Sequence, residues 1–235
     1  MVLTDGWTLS RVGDAALVVE CAQSIDPDLN IRILAVAHAV RRRVHPGLRD
    51  VVESYCAVTV HFDPLKTDTA ALLLDLETEV ERSRGVTDDS RSRSRRLTVP
   101  VCYGGRYGPD LGALAAFAGC SEEEVIARHS HETYRVYMLG FLPGFAYMGV
   151  VPPRLAMPRH RAPRLEVPAG SVGIAGQQTG VYPLTAPGGW QLIGRTPLVP
   201  FDLGRADPFL FRAGDMIQFE SIAPDRFDEL AAVQS

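Results

Sequence analysis

Cysteine is scarce in this chain and widely dispersed. Cys21, Cys56, Cys102 and Cys120 form no CxxC pair and no His/Cys metal spacing, so no metal site is expected. They read as reduced thiols of a cytoplasmic protein, small buried side chains rather than nucleophiles. Long apolar runs are missing as well. Nothing approaches the roughly 18 residues of a bilayer-spanning helix, and residues 1–10 have no basic stretch followed by an apolar one, so neither a membrane span nor a secretory leader is expected. Positive charge is not in excess: 24 Lys and Arg face 28 Asp and Glu, a net charge of -4. That balance argues against nucleic acid, whose binders carry a basic stripe. The chain also has no GxxxxGK[ST] phosphate loop, no GxSxG elbow and no HExxH; a bound nucleotide would need another kind of cradle.

What is present is enough for one large domain or two small ones: 235 residues, 46% of them apolar. Residues 1–84 alternate strand and helix signals. Gly13-Asp14 between two apolar runs predicts a hairpin over 7–20. Asp26-Pro27 opens a helix as N-cap and first residue. Ile31, Leu34, Ala35 and His38 recur along it at helical spacing, Arg41 to Arg43 suit its last turn, and His45-Pro46-Gly47 stops it. Alternation over 51–62 predicts a strand pair. Leu72, Leu73, Leu76 and Val80 predict a second helix over 67–84, completing a small α+β sandwich. Residues 85–96, GVTDDSRSRSRR, have no apolar periodicity and read as a linker. From 97 onward the texture is that of a β-rich domain, 97–235. A strand at 97–103 and short helices at 110–118 and 121–129, the latter with Ser121 and Glu124 as a capping box, lead into Gly/Pro-punctuated apolar runs. A last helix is expected at 224–232. That spacing predicts a closed β-barrel.

Three polar or aromatic segments stand out. PRHRAPR at 158–164 places Arg159, His160, Arg161 and Arg164 between prolines. Proline fixes φ and extends its predecessor, so this is a rigid strap of guanidinium forks able to grip carboxylate or phosphate; a solvated basic loop is the other reading. FLPGFAYMG at 141–149 presents Phe145 and Tyr147 on a turn, at a pocket wall or in the core. The glycine turns around Ser171, Gln178 and Gly188-Gly189-Trp190 permit close backbone approach to a ligand, and they equally suit barrel corners.

These segments together, with GFLPGFAYMG, PRHRAPRLEVPAGSV and PGGWQLIGRTP as the specific strings, resemble the allophanate hydrolase subunit 1 family over nearly the whole chain. That family includes the B subunits of 5-oxoprolinase and Kip-type kinase inhibitors. The resemblance implies an α+β domain followed by an all-β cyclophilin-like barrel. It implies one member of an ATP-dependent complex that hydrolyses 5-oxo-L-proline to L-glutamate, with ATP as cofactor. The partners it implies are an allophanate hydrolase subunit 2-like protein (the 5-oxoprolinase C subunit) and a third 5-oxoprolinase subunit. Carried onto this sequence, Arg159 and Arg164 are the expected catalytic cations, converging on one anion if the strap bends. Phe145, Tyr147, Ser171, Gln178, Gly188, Gly189 and Trp190 are the expected substrate contacts. A regulator of a sensor histidine kinase and a structural support for a partner's site are the alternatives.

Overall fold

The computed structural model describes residues 1–86 and 94–233 and divides into two compact units, Met1–Arg93 and Ser94–Ser235. The expected linker falls mostly on residues 87–93, outside those described. Arg95 places its guanidinium 2.6 Å from Asp215, a carboxylate only 4% exposed, and Arg96 opens a strand.

In the first unit, β1 (Thr8–Val12) and β2 (Ala16–Glu20) form the expected hairpin. α1 (Pro27–Arg42) begins where the Asp26 carboxylate accepts from the Asp28 and Leu29 amides at 2.8 and 3.1 Å. β3 (Leu48–Glu53), β4 (Ala57–Phe62) and α2 (Thr69–Ser83) complete an antiparallel sheet of order β1-β2-β4-β3 with two helices. Ile31 and Leu34 are buried as expected, but His38 is exposed. The core stripe of α1 is Ile33, Val36, Ala37 and Val40, packed with Leu17, Val58 and Val60 and with Leu72, Leu76 and Val80 of α2. Two neighbouring stripes have helical spacing here, and the wholly apolar one faces the core.

The second unit opens on β5 (Arg96–Tyr103), followed by α3 (Leu111–Ala118) and α4 (Glu122–His131). Next come β6 (Thr133–Leu139), β7 (Ala146–Gly149), β8 (Arg164–Val167), β9 (Ser171–Ala175) and β10 (Gln178–Val181). β11 (Ala186–Gly188), β12 (Gln191–Arg195), β13 (Met216–Ser221) and α5 (Pro224–Val233) end it. Seven strands close into a barrel in the order β10-β7-β6-β13-β5-β12-β9, while β8 and β11 form a separate ribbon. Among the described residues, only β5 and β13 pair in parallel. Side chains two apart point the same way along a strand; Val99 and Val101, Tyr134 and Val136, Val172 and Ile174, and Ile217 and Phe219 fill the core in this way. The Ser121 hydroxyl caps α4 by accepting from the Glu124 amide, but the Glu124 carboxylate turns to Arg128, so the capping box is half formed.

A histidine lies wholly inside this core. His129 is fully buried and stacks on Phe219, with ring centroids 4.7 Å apart. Its Nδ1 is 2.8 Å from the Tyr103 hydroxyl and its Nε2 2.9 Å from Thr179 Oγ1, which itself donates to Gly173 O. A hydroxyl has one proton to give, so Thr179 accepts from Nε2–H, and Tyr103 donates to Nδ1. The ring is thus fully satisfied when neutral, and burial lowers its pKa from 6.5 to about 3. The unfolded chain binds this proton below 6.5 while the folded one does not. Stability should therefore be complete above that value and fall toward about 3, by about 1.4 kcal/mol per pH unit. Melting temperatures from pH 7 to pH 4.5 test this. His129→Gln, polar at its tip but without a titrating ring, should show the shallower slope; equal slopes would refute it.

Candidate active site

The site begins with a close backbone approach. A Cβ on Gly108 would lie 2.0 Å from Ile193 O, so only glycine lets the loop after β5 run against β12. That contact delivers Asp110, whose N–H donates to Leu192 O at 2.9 Å. Asp110 holds the N-cap position of α3, where a carboxylate is worth about 1 kcal/mol, yet it makes no capping bond. Its side chain turns away to three other donors. Oδ1 receives Arg164 Nη2 at 2.6 Å, and Oδ2 receives the Leu192 amide at 2.7 Å and His160 Nε2 at 3.3 Å. Burial opposes the charge on this carboxyl, but the bonds from Arg164, Leu192 and His160 outweigh it and hold the pKa below the usual value of 3.8. Asp110 is therefore an ionised acceptor that ties the α3 loop, the strap and β12 together.

The strap is anchored at several points. Gln191 Nε2 donates to Pro158 O at 2.7 Å, the His160 amide to Gly189 O at 2.6 Å, and Arg164 Nη1 to Trp190 O at 3.4 Å. Gln191 is 2% exposed, and its Oε1 has no donor among the described residues.

Beside the strap lies an aromatic floor. The Phe145 ring is 4.7 Å from Tyr147, 5.0 Å from Tyr182 and 5.4 Å from Trp190, mostly edge to face. Phe145 and Tyr182 are fully buried, while Tyr147 and Trp190 are half-buried. Burial pushes the Tyr182 phenol up to about 12, against a hydrogen bond with the Trp190 backbone, and burial also raises Tyr147. Both phenols are neutral near pH 7. Gly188 is required by this packing, since its Cβ would sit 2.3 Å from the Tyr182 hydroxyl and 2.8 Å from Cζ. Gly188→Ala should displace Tyr182 and cost about 1–3 kcal/mol, read as a lowered urea midpoint. Adding Tyr182→Phe should recover part of that loss; a double variant weaker than the sum of the two would refute the contact.

The structure brings together Arg164, Phe145, Tyr147, Gly188, Gly189 and Trp190. Ser171 lies next to them, buried at the start of β9, its carbonyl accepting from the Tyr182 amide at 2.9 Å. Gln178 is at the far end of β10 from Tyr182, about 13 Å along the chain at about 3.3 Å per residue. Arg159 is exposed and has no partner among the described residues, whereas Arg164 is bound to a carboxylate, Asp110 rather than nearby Glu166. The two forks therefore have different surroundings, and one of them already holds an anion. Asp110 and Tyr182 were not singled out from sequence. Asp110 reads locally as an ordinary helix cap in PDLG; its partners are 50 to 82 residues away.

Among the described residues, no helix is long and apolar enough to cross a membrane. Residues 7–211 match the family described as "Carboxyltransferase domain, subdomain C and D". The chain is 39% identical over 231 residues to the 5-oxoprolinase B subunit of Bacillus subtilis (strain 168), covering 94% of this chain and 95% of that protein. It is 41% identical over 208 residues to the 5-oxoprolinase B subunit of Escherichia coli O157:H7, covering 88% and 93%. The crystal structure of TTHA0988 superposes with a TM-score of 0.78 at 37% identity over 89% of this chain, which spans only 40% of that one. Kluyveromyces lactis urea amidolyase superposes with a TM-score of 0.72 at 21% identity, a likeness of fold, with this chain spanning 15% of it.

Proposed function

Because this chain belongs to the family of the carboxyltransferase domain, subdomain C and D, and its relatives are 5-oxoprolinase B subunits, we propose that it is the B subunit of an ATP-dependent 5-oxoprolinase. The complex opens 5-oxo-L-proline to L-glutamate. An unstrained lactam resists hydrolysis, and phosphorylating its amide oxygen supplies the activation that ATP can drive. The observation that carries the reading is the junction at Asp110, where a rigid cationic strap is held beside an aromatic floor. Apolar ring faces suit the lactam ring, and guanidinium forks suit its carboxylate and the charge that develops on its oxygen. The second unit is read as a cyclophilin-like barrel. The assembly is completed by an allophanate hydrolase subunit 2-like protein (the C subunit) and a third 5-oxoprolinase subunit. The reading as an inhibitor of a sensor histidine kinase draws no support from relatives named as 5-oxoprolinase subunits.

Co-expression with the two proposed partners, followed by size-exclusion chromatography and an ATPase assay with and without 5-oxoproline, tests the proposal. Co-elution and 5-oxoproline-stimulated turnover that releases glutamate are expected. An assembled complex indifferent to 5-oxoproline would overturn it.

A further inference from the structure

We propose that His160 is the general base and then the general acid of the ring-opening step, with Asp110 as its positioning residue. This rests on the function proposed above. Neither residue was among the catalytic cations expected from the sequence.

The argument starts at the carboxylate. Asp110 occupies an N-cap position, and its side chain makes no cap bond. Helix formation therefore does not account for where that carboxylate points; its partners do. An ionised carboxylate only accepts, so the bond between Asp110 Oδ2 and His160 Nε2, 3.3 Å, requires the proton on Nε2. In the neutral ring Nδ1 then carries the lone pair. Nδ1 makes no hydrogen bond among the described residues, and a third (33%) of the imidazole side chain remains exposed. The His160 backbone is anchored as well. Its own amide is bonded to Gly189 O at 2.6 Å, and the preceding Pro158 carbonyl is held by Gln191 at 2.7 Å. An imidazole with a fixed tautomer, a carboxylate behind it and a free basic nitrogen in front is the arrangement that proton transfer to and from a substrate needs. The charged groups around it are Asp110 from the start of α3, Arg164 from β8, and Arg159 and Arg161 beside it in the strap.

The amide oxygen enters this step as its phosphate ester, with a C=N⁺–H bond to the ring nitrogen. Water's oxygen bonds to that carbon as one water proton passes to Nδ1 and the C=N π pair moves to nitrogen. The new hydroxyl oxygen then forms C=O and releases its own proton to solvent as the C–N bond breaks. The departing nitrogen's electron pair takes the proton back from Nδ1, leaving an amine and an acyl phosphate, which a second water splits into carboxylate and phosphate. Arg164, held by the same Asp110, places a fixed positive charge beside the ring while negative charge develops.

The test uses the full complex with 5-oxoproline and ATP. His160→Gln should lower kcat for glutamate release by about 100-fold or more and remove the acid limb of the pH profile of kcat/KM. Asp110→Asn should lower kcat more than it raises KM and displace that limb, an effect that loss of a purely structural bond does not produce. Imidazole ¹⁵N resonances of the wild-type chain supply an independent readout: His160 should be the Nε2–H tautomer. Turnover of His160→Gln within a few-fold of wild type, with the acid limb intact, would overturn the proposal. So would a wild-type His160 protonated on Nδ1 or mixed between tautomers, and that measurement decides even if a variant fails to fold. A wild-type complex with no 5-oxoproline-dependent turnover would instead remove the proposed function, and with it the reaction assigned to His160.

Discussion

Asp110→Ala is expected to destabilise the barrel unit by about 2–3 kcal/mol, lowering the melting temperature by roughly 4–12 °C, and to abolish activity of the assembled complex. Two losses add. The Leu192 amide, in the buried start of β12, loses its 2.7 Å acceptor, and Arg164 loses the carboxylate at 2.6 Å. Arg164 keeps about a third (31%) of its side chain exposed, so water softens the second loss and sets the total below that of a fully buried pair. Asp110→Asn retains an acceptor for Leu192 and should cost less than half as much. The wild-type contribution has a defined pH range. Because the folded carboxyl is held below 3.8, its stabilisation is present above that value and fades as pH falls through the folded pKa. Melting curves of the three chains at pH 7 and pH 3 decide the point. Equal stability of Asp110→Ala and wild type at pH 7 would show that the junction contributes nothing.

The second large effect separates the two arginines. Arg159 stands exposed without a partner among the described residues, whereas Arg164 is bound to Asp110 and to Trp190 O. Lysine keeps the charge and loses the planar fork. Arg159→Lys should leave the melting temperature unchanged. If its fork grips the substrate carboxylate or a phosphate, turnover should fall about 30- to 1000-fold, corresponding to about 2–4 kcal/mol of transition-state binding. Arg164→Lys should instead lower both the melting temperature and the turnover, since its fork also supports the protein's own backbone. Turnover and melting temperature measured on the same preparations test this. Wild-type turnover in Arg159→Lys would end the catalytic reading of that residue. An unchanged melting temperature in Arg164→Lys would show that its bonds to Asp110 and Trp190 do not hold the strap.

Local signals in the sequence map directly onto structure wherever the deciding interaction is short-range. Asp26-Pro27 starts α1, and Gly13 turns β1 into β2. Each depends on neighbours a few residues away, through capping, positive φ or a proline ring. The strings around Phe145, 158–164 and Trp190 likewise marked the part of the chain where the strap and the aromatic floor meet, because tight turns and rigid straps need particular residue types.

Pairing was not legible in this way. Nothing in PDLG distinguishes a cap that caps from one whose carboxylate reaches 54 residues along the chain to Arg164. Nothing in RHRAPR tells which cation is free. In α1, two apolar stripes had equally good spacing, and packing against β4 and α2 chose between them. The sequence by itself determined the elements, the barrel class and the segments that build the site. Only the tertiary structure decided which side chains meet there, because Gly108 must first bring the α3 loop within reach of β12 before one carboxylate can collect Arg164, His160 and the Leu192 amide.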